Sequence, residues 1–211
     1  YLIYFTFWFF PFLNVRTSSE NLSIIFFCFA FSFLINLFDR DKSDYKSFYI
    51  IFFGFVLGLS IVVRAQMIFT IFPIFLWVVI YKFNIRKILL VVIGAFTAVT
   101  LGLYVDYLNW GYFTNTYWQI FEAQILKGRM AAFGAQPWWY YFKAIPLELA
   151  PLSSVFFIIG VFIYTYFNLR NVFIWAVFGT LIILLFFDHK EIRFFFPVYI
   201  FAPFFLMYFF D

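Results

Sequence analysis

The chain has 211 residues and a formal net charge of +4; 66% of its residues are hydrophobic, 29% are aromatic and only 11% are charged. So few charges cannot cover the surface of a soluble domain of this size, and the mean hydropathy of +0.98 is typical of a polytopic membrane protein. The small, dispersed charge argues against a nucleic-acid partner, and the single cysteine, Cys28, excludes an internal disulfide and a cysteine-based metal site.

The apolar runs predict an all-α integral membrane protein, a polytopic helical bundle that forms one transmembrane domain over residues 1–211. About eight spans are expected, near residues 1–13, 22–38, 48–63, 67–81, 88–105, 153–167, 172–187 and 194–210. Several runs are shorter than the roughly 20 residues that a straight span needs. Residues 48–81 alternatively form one span and a re-entrant segment broken at 64–66. Because apolar runs reach both ends of the chain, we expect it to be an internal piece of a longer protein.

The long stretch 106–152 departs from this pattern and is predicted to be an extracytoplasmic or lumenal loop that covers an active site. An apolar stripe along residues 115–130 predicts an amphipathic helix lying in the plane of the membrane interface. Tryptophan and tyrosine then cluster at residues 138–141, and such side chains are enriched at the level of the lipid headgroups. A simple aromatic belt is therefore the alternative interpretation of that cluster.

The polar connections divide between the two sides of the predicted bundle. On one side lie the short connections 39–47, 82–87 and 168–171, which carry only solvated charges. On the other side lie 14–21, 64–66, the long loop and 188–193. Basic residues of the second side stand beside acids or in the long loop, where the positive-inside rule has little force. We therefore place the first side in the cytosol and the second side outside the cell or in a lumen.

A dense group of ionisable residues separates the last two apolar runs. It comprises Asp188, His189, Lys190, Glu191 and Arg193. Each such charge costs about 2.5 to 3.5 kcal/mol at the centre of a bilayer, so the group must lie at an interface or line a polar cavity. Basic residues at the start of the following helix oppose its dipole unless an anion such as phosphate is held there. Alternatively, the group only caps the helix and pairs internally.

Three further polar positions need an explanation. The stretch 16–20 is typical of a helix cap with Glu20 in the first turn, which leaves Arg16 unexplained. Arg64 is isolated between apolar runs, so it either binds an anionic partner or extends to the headgroups. Asp106 follows an apolar run, where the helix dipole disfavours a carboxylate, so a cationic neighbour or a catalytic role is expected. With one histidine in the chain, His189, no histidine-based metal site is expected.

Three blocks of this sequence resemble a known family. HKEIRFFFP at 189–197 is similar to the His-Lys-Glu-x-Arg-Phe signature of the Alg9/PIG-B type mannosyltransferases, which are membrane-embedded GT-C glycosyltransferases. RTSSE at 16–20 is similar to that family's Arg-Thr-x-Ser/Thr-Asn stretch with its following Glu. The pattern from Asp106 through Gly134, Pro137 and Trp138 to 142 resembles a third block, and the blocks occur in the family's order.

The resemblance implies a role for each candidate residue. The donor phosphate would be held by basic side chains, Arg64, His189, Lys190 and Arg193. The surrounding pocket would be formed by Arg16, Glu20, Trp138, Tyr140 and Tyr141, with the aromatic residues at the sugar or lipid entrance. Asp106 and Glu191 would be the catalytic acids that orient sugar hydroxyls or basic side chains. The family's main base lies in an acidic first lumenal loop, which is expected upstream of Tyr1.

The resemblance also implies the reaction, the partners and the location. The enzyme would transfer mannose, or another hexose, from a polyprenyl- or dolichyl-phosphate sugar to a glycan or glycolipid acceptor, with inversion and without a metal or other cofactor. It would act in the lipid of a bacterial cytoplasmic membrane or of the endoplasmic reticulum, with the active site on the extracytoplasmic or lumenal face. A transporter or lipid flippase with a charged substrate path is the alternative, and an inert structural copy is a third possibility.

Overall fold

The computed structural model describes residues 18–39, 45–112, 118–119, 122–123, 127, 134–148 and 151–210, with the backbone alone at 148, 151–153 and 210. The predicted span at 1–13, Arg16 and most of the predicted interfacial helix at 115–130 lie outside these residues. The predictions for those segments are therefore not addressed by the structure.

All regular elements among the described residues are helical. They are α1 (Ser19–Asp39), α2 (Ser47–Val63), a 3₁₀ turn (Ala65–Met67), α3 (Ile68–Tyr81), α4 (Ile85–Trp110), α5 (Tyr140–Glu148), α6 (Pro151–Phe167), α7 (Val172–Leu185), a second 3₁₀ turn (Ile192–Phe195), α8 (Phe196–Tyr199) and α9 (Ala202–Phe210). Each apolar run predicted within the described residues coincides with a helix. The predicted run 194–210 is bent by 66° between Tyr199 and Ala202, just before Pro203.

Two helices in the described part of the chain are long and apolar enough to cross a membrane, Ser19–Phe38 and Ile85–Trp110. The bent pair that ends the chain makes a third if it is counted as one span. The other apolar helices, α2, α3, α6 and α7, have 14 to 17 residues. The helical membrane class is confirmed, whereas the number of eight spans stays a prediction.

The chain divides into two compact units. The first, called here the arginine unit, comprises Ser19–Ile68 and Phe75–Lys127. The second, called the motif unit, comprises Tyr1–Ser18, Phe69–Ile74 and Gly128–Asp211.

Glycines allow close helix packing in the arginine unit. A Cβ atom placed on Gly54 or Gly58 of α2 would lie 2.4 Å from the carbonyl oxygen of Val91 or 2.6 Å from that of Ala95, both in α4. A Cβ atom on Gly94 would meet the carbonyl oxygen of Ile51 at 2.1 Å. Small residues that let two backbones approach are a standard basis for helix association in membranes. The Gly54 and Gly58 pair, spaced four residues apart, therefore fixes α2 against α4.

The motif unit has a dense aromatic core around its short helices. Phe195, Phe196 and Tyr199 are at most 2% exposed, and Val198 is fully buried. In the same unit, Gly160 of α6 allows the backbone of α9 to approach, since a Cβ atom there would lie 2.3 Å from the carbonyl oxygen of Phe205. The apolar half of the 189–197 motif is thus an anchor that holds the preceding charged residues in place.

Candidate functional site

The charged motif lies in a connection of the motif unit, between α7 and the second 3₁₀ turn. Helix α7 ends at Leu185, and Glu191 is extended, with φ −128° and ψ 146°, before the chain turns at Ile192. Residues 194–196 after this turn are buried, while Asp188 and Arg193 are exposed. The sequence order, charges first and phenylalanines next, therefore places the ionisable groups outside the aromatic core.

Glu191 is the centre of the charged group. One carboxylate oxygen contacts Nε2 of His189 at 2.8 Å and Nη2 of Arg193 at 3.0 Å, and the other accepts a hydrogen bond from Nε of Arg193. Partial burial opposes ionisation of Glu191, but the hydrogen bonds from Arg193 and His189 outweigh it and lower the pKa of the carboxyl group. The carboxylate therefore orients two basic side chains at once, as the alternative of internal pairing predicted.

Both ring nitrogens of His189 face oxygen acceptors. Nδ1 lies 3.0 Å from the carbonyl oxygen of Gly134, and Nε2 lies 2.8 Å from the carboxylate of Glu191. A neutral imidazole donates from one nitrogen only, so the doubly protonated ring fits this environment best. The bond to Glu191, then the bond to Gly134, raises the pKa of His189 above its ordinary 6.5. Both contacts therefore favour the protonated form of His189.

Lys190 is the buried member of the group, with 5% of its surface exposed. Its ammonium group donates to the carbonyl oxygens of Phe187 and of Gln136, the latter at 3.1 Å. Burial lowers the pKa of Lys190, and the nearby Asp188 opposes that change. The lysine therefore contacts one backbone oxygen in its own connection, at Phe187, and one in the distant segment that contains Gln136.

The predicted aromatic entrance divides into an exposed and a buried part. Trp138 is 66% exposed and Tyr140 is half-buried. Tyr141 is fully buried; its hydroxyl donates to the carbonyl oxygen of Glu191 at 3.3 Å, and burial raises its pKa. Trp138 and Tyr140 remain candidates for contact with a sugar or lipid. Tyr141 instead stabilises the charged motif through its buried hydrogen bond to the backbone of Glu191.

Arg64 and Glu20 form an ion pair in the arginine unit. Helix α2 ends at Val63, and Arg64 is extended, with φ −147° and ψ 101°, before the 3₁₀ turn. Its Nη2 atom lies 2.8 Å from the carboxylate of Glu20, and its Nε donates to Oε1 of Gln66 at 2.9 Å. The side chains of Arg64 and Glu20 are only 26% and 15% exposed. The break expected at 64–66 is present, and Arg64 has an anionic partner within the protein.

Asp106 lies inside α4, which continues four residues further to Trp110 and ends at Gly111 with a φ of 73°. Its side chain is half-buried. The helix start expected at Lys190 and Arg193 is a four-residue 3₁₀ turn, so a regular helix N-terminus does not supply the anion site envisaged there. Among the residues that the structure describes, no group of three His, Cys, Asp or Glu side chains could hold a metal ion.

Three contributors to these clusters were not predicted as site residues from the sequence. Gln66 completes the environment of Arg64, and the backbone carbonyls of Gly134 and Gln136 accept bonds from His189 and Lys190. The available signals were the position of Gln66 in the break and the residue type of Gly134, since glycine readily adopts a positive φ, here 101°. Backbone acceptors carry no side-chain signature, so residue types alone could not reveal them.

Comparisons with known proteins find one curated relative and one family. A GPI alpha-1,2-mannosyltransferase 3 of Bos taurus is 29% identical over 104 residues, which are 49% of this chain and 19% of that protein. This chain therefore matches about a fifth of the relative's length. No solved structure matches. A sequence model of the Alg9-like mannosyltransferase family matches residues 1–211. The family is one of membrane glycosyltransferases, and the chain belongs to the Alg9-like mannosyltransferase family.

Proposed function

We propose that the full-length protein transfers mannose, or another hexose, from a polyprenyl-phosphate-linked donor to a glycan or glycolipid acceptor. The anomeric configuration would be inverted, and no metal or other cofactor would be needed. The relative from Bos taurus is named as a mannosyltransferase of the GPI class, which supports a lipid-linked glycan as one class of acceptor. The family supports a transferase over the alternative of a transporter or flippase.

The observation that carries this proposal is the exposed, oriented guanidinium group of Arg193. Its side chain is 62% exposed, yet two of its nitrogens are fixed by the carboxylate of Glu191. Guanidinium groups match the geometry of phosphate oxygens and stay charged at any physiological pH. A fixed cation beside a departing phosphate lowers the barrier because it does not have to reorganise during the reaction. Arg193 is therefore assigned to the donor phosphate.

The other proposed phosphate residues are supported unequally. His189 lies next to Arg193 because both contact the carboxylate of Glu191, which favours the protonated imidazole. Lys190 is too buried to be a principal ligand and would act through its charge or its contacts. Arg64 stays a candidate within the arginine unit, where Glu20 and Gln66 fix its orientation. Arg16 stays a proposed pocket residue on the family resemblance alone. Glu191 positions basic groups, whereas Asp106 remains a candidate to orient a sugar hydroxyl.

Sugar transfer by the full-length protein in membranes tests this assignment. We expect Arg193→Ala to abolish transfer of labelled mannose from a polyprenyl-phosphate donor while the protein still accumulates. The matched control is Arg170→Ala, which removes another exposed arginine at the opposite end of α7. The control should transfer at the wild-type rate. Wild-type transfer by Arg193→Ala would refute the phosphate assignment, and equal loss in both variants would show that the effect is not specific.

A further inference from the structure

Four hydrogen bonds join two distant segments of the motif unit, residues 134–141 and 187–191. The amide of Gln136 donates to the carbonyl of Asp188 at 2.9 Å, and Lys190 donates to the carbonyl of Gln136 at 3.1 Å. His189 contacts the carbonyl of Gly134 at 3.0 Å, and Tyr141 donates to the carbonyl of Glu191 at 3.3 Å. We call this set of bonds the clasp. It attaches the tryptophan-containing segment to the charged motif.

Lys190 contributes the charged bond in the clasp. Two of the three N–H donors of its ammonium group contact carbonyl oxygens, one in each segment, at Phe187 and Gln136. A buried ammonium is costly unless carbonyl or charged partners replace its water, and these two oxygens do so. Both backbone groups of Gln136 are used in this way, its N–H by Asp188 and its C=O by Lys190. Removal of the ammonium would take away the charged donor from both carbonyl oxygens.

We infer that Lys190 is a positioning residue for sugar transfer, whose ammonium group holds residues 134–141 against 187–191 and thereby fixes Trp138 and Arg193 relative to each other. This inference rests on the proposed function, since it assigns the role of one residue in that reaction. Its basis is geometric: Lys190 is 5% exposed, whereas the side chain of Arg193 is 62% exposed. Only the second has the access that direct contact with a donor requires. Lys190 acts on the donor through the segment that it holds.

Hydrogen exchange and sugar transfer, measured on the same full-length variants in detergent, test the inference. Within residues 134–141, the amide of Gln136 donates across the clasp to Asp188 and the amide of Tyr140 donates to Pro137. Exchange of these amides reports opening of the clasp and of its segment, because it requires these hydrogen bonds to break. In Lys190→Met we expect these amides to exchange about tenfold faster and transfer to fall at least about 30-fold, because bonds from a charged donor are lost. Lys190→Arg keeps N–H donors near both carbonyls and should restore much of the protection and the transfer. Arg193→Met should lose transfer with unchanged exchange.

The test compares how far the Lys190 variants lose amide protection with how far they lose sugar transfer. The inference holds if transfer falls in each Lys190 variant to the extent that residues 134–141 lose protection. It is overturned if a Lys190 variant keeps native exchange but loses transfer, since the ammonium would then contact substrate directly. It is equally overturned if Lys190→Met exchanges quickly but transfers normally. If Lys190→Met does not accumulate, Lys190→Arg and Tyr141→Phe, which removes one neutral clasp bond, supply the comparison. Absence of transfer by the wild type would reject the proposed function and leave the exchange result intact.

Discussion

Substitution of Glu191 by glutamine removes one charge from the centre of the motif and keeps the shape of the side chain. A hydrogen bond to a charged group contributes about 1.5 to 3 kcal/mol. The His189 side chain is 14% exposed, but the Glu191 carboxylate is 30% exposed, and its partial solvation places their bond near the lower end of that range. The Arg193 side chain is 62% exposed, and solvent screening reduces its ion pair to about 0.5 kcal/mol. Together, the two interactions contribute about 2 kcal/mol to the orientation of His189 and Arg193, and the substitution removes this free energy.

If that orientation is needed in the transition state, about 2 kcal/mol corresponds to a roughly 30-fold fall in the rate of transfer. The assay is initial-rate transfer from a polyprenyl-phosphate sugar by full-length protein, at equal protein amounts. The matched control is Glu122→Gln, which breaks the ion pair of Glu122 with Lys127, whose side chains are 37% and 59% exposed. The control should change the rate less than twofold. Wild-type transfer by Glu191→Gln would refute the role assigned to the carboxylate.

Three further predictions follow from the same contacts. His189 has a raised pKa, so its bonds are complete below the ordinary value near 6.5 and are lost as pH rises through the raised value; transfer should decline above that pH, and His189→Gln should remove this decline from the pH profile. Gly58→Leu should destabilise the protein by about 1 to 3 kcal/mol, because the added side chain overpacks against Ala95. Thermal unfolding in detergent measures this effect, with Phe96→Leu at an exposed position as the control. Arg64→Met and Glu20→Gln should each destabilise it, and the double variant should cost less than their sum by about 1 to 3 kcal/mol, because each single change leaves a partly buried charge unpaired; additive effects would contradict that coupling.

Helices α1 to α4, α6 and α7 were predictable from the sequence because each contains a long apolar run. Helix α5 was not, because Tyr140–Glu148 lies within the stretch 106–152 that was predicted to be a loop. The break at Arg64 was also predictable, since an isolated charge between two such runs is costly within a membrane. The bend before Ala202 was not, because the run 194–210 is apolar throughout. Pro203 was the available signal, because the residue before a proline disfavours the helical conformation and proline is common at the start of a new helix. Hydropathy indicates which segments are apolar, but it does not indicate where the axis of a helix changes direction.

The site was predictable in residue type and only partly in role. The sequence left Arg64 either to bind an anion or to extend to the headgroups. The choice of Glu20, 44 positions away, depends on the packing of α1 against α2. Charge alone predicted Lys190 as a phosphate ligand at an interface. The structure buries its ammonium group because two carbonyl oxygens, at Phe187 and Gln136, compensate the lost water. Such compensation comes from backbone atoms and leaves no trace in residue spacing.

The donor used by the full-length protein tests the central claim most directly. Membranes that contain it would be given labelled mannose on polyprenyl phosphate in one reaction and on a nucleotide in another, with donor interconversion blocked, and the labelled acceptor would be isolated. We expect label to enter a glycan or glycolipid from the polyprenyl-phosphate donor alone. Label that enters only from the nucleotide donor, or lipid-linked sugar that crosses the membrane without transfer, would contradict the account.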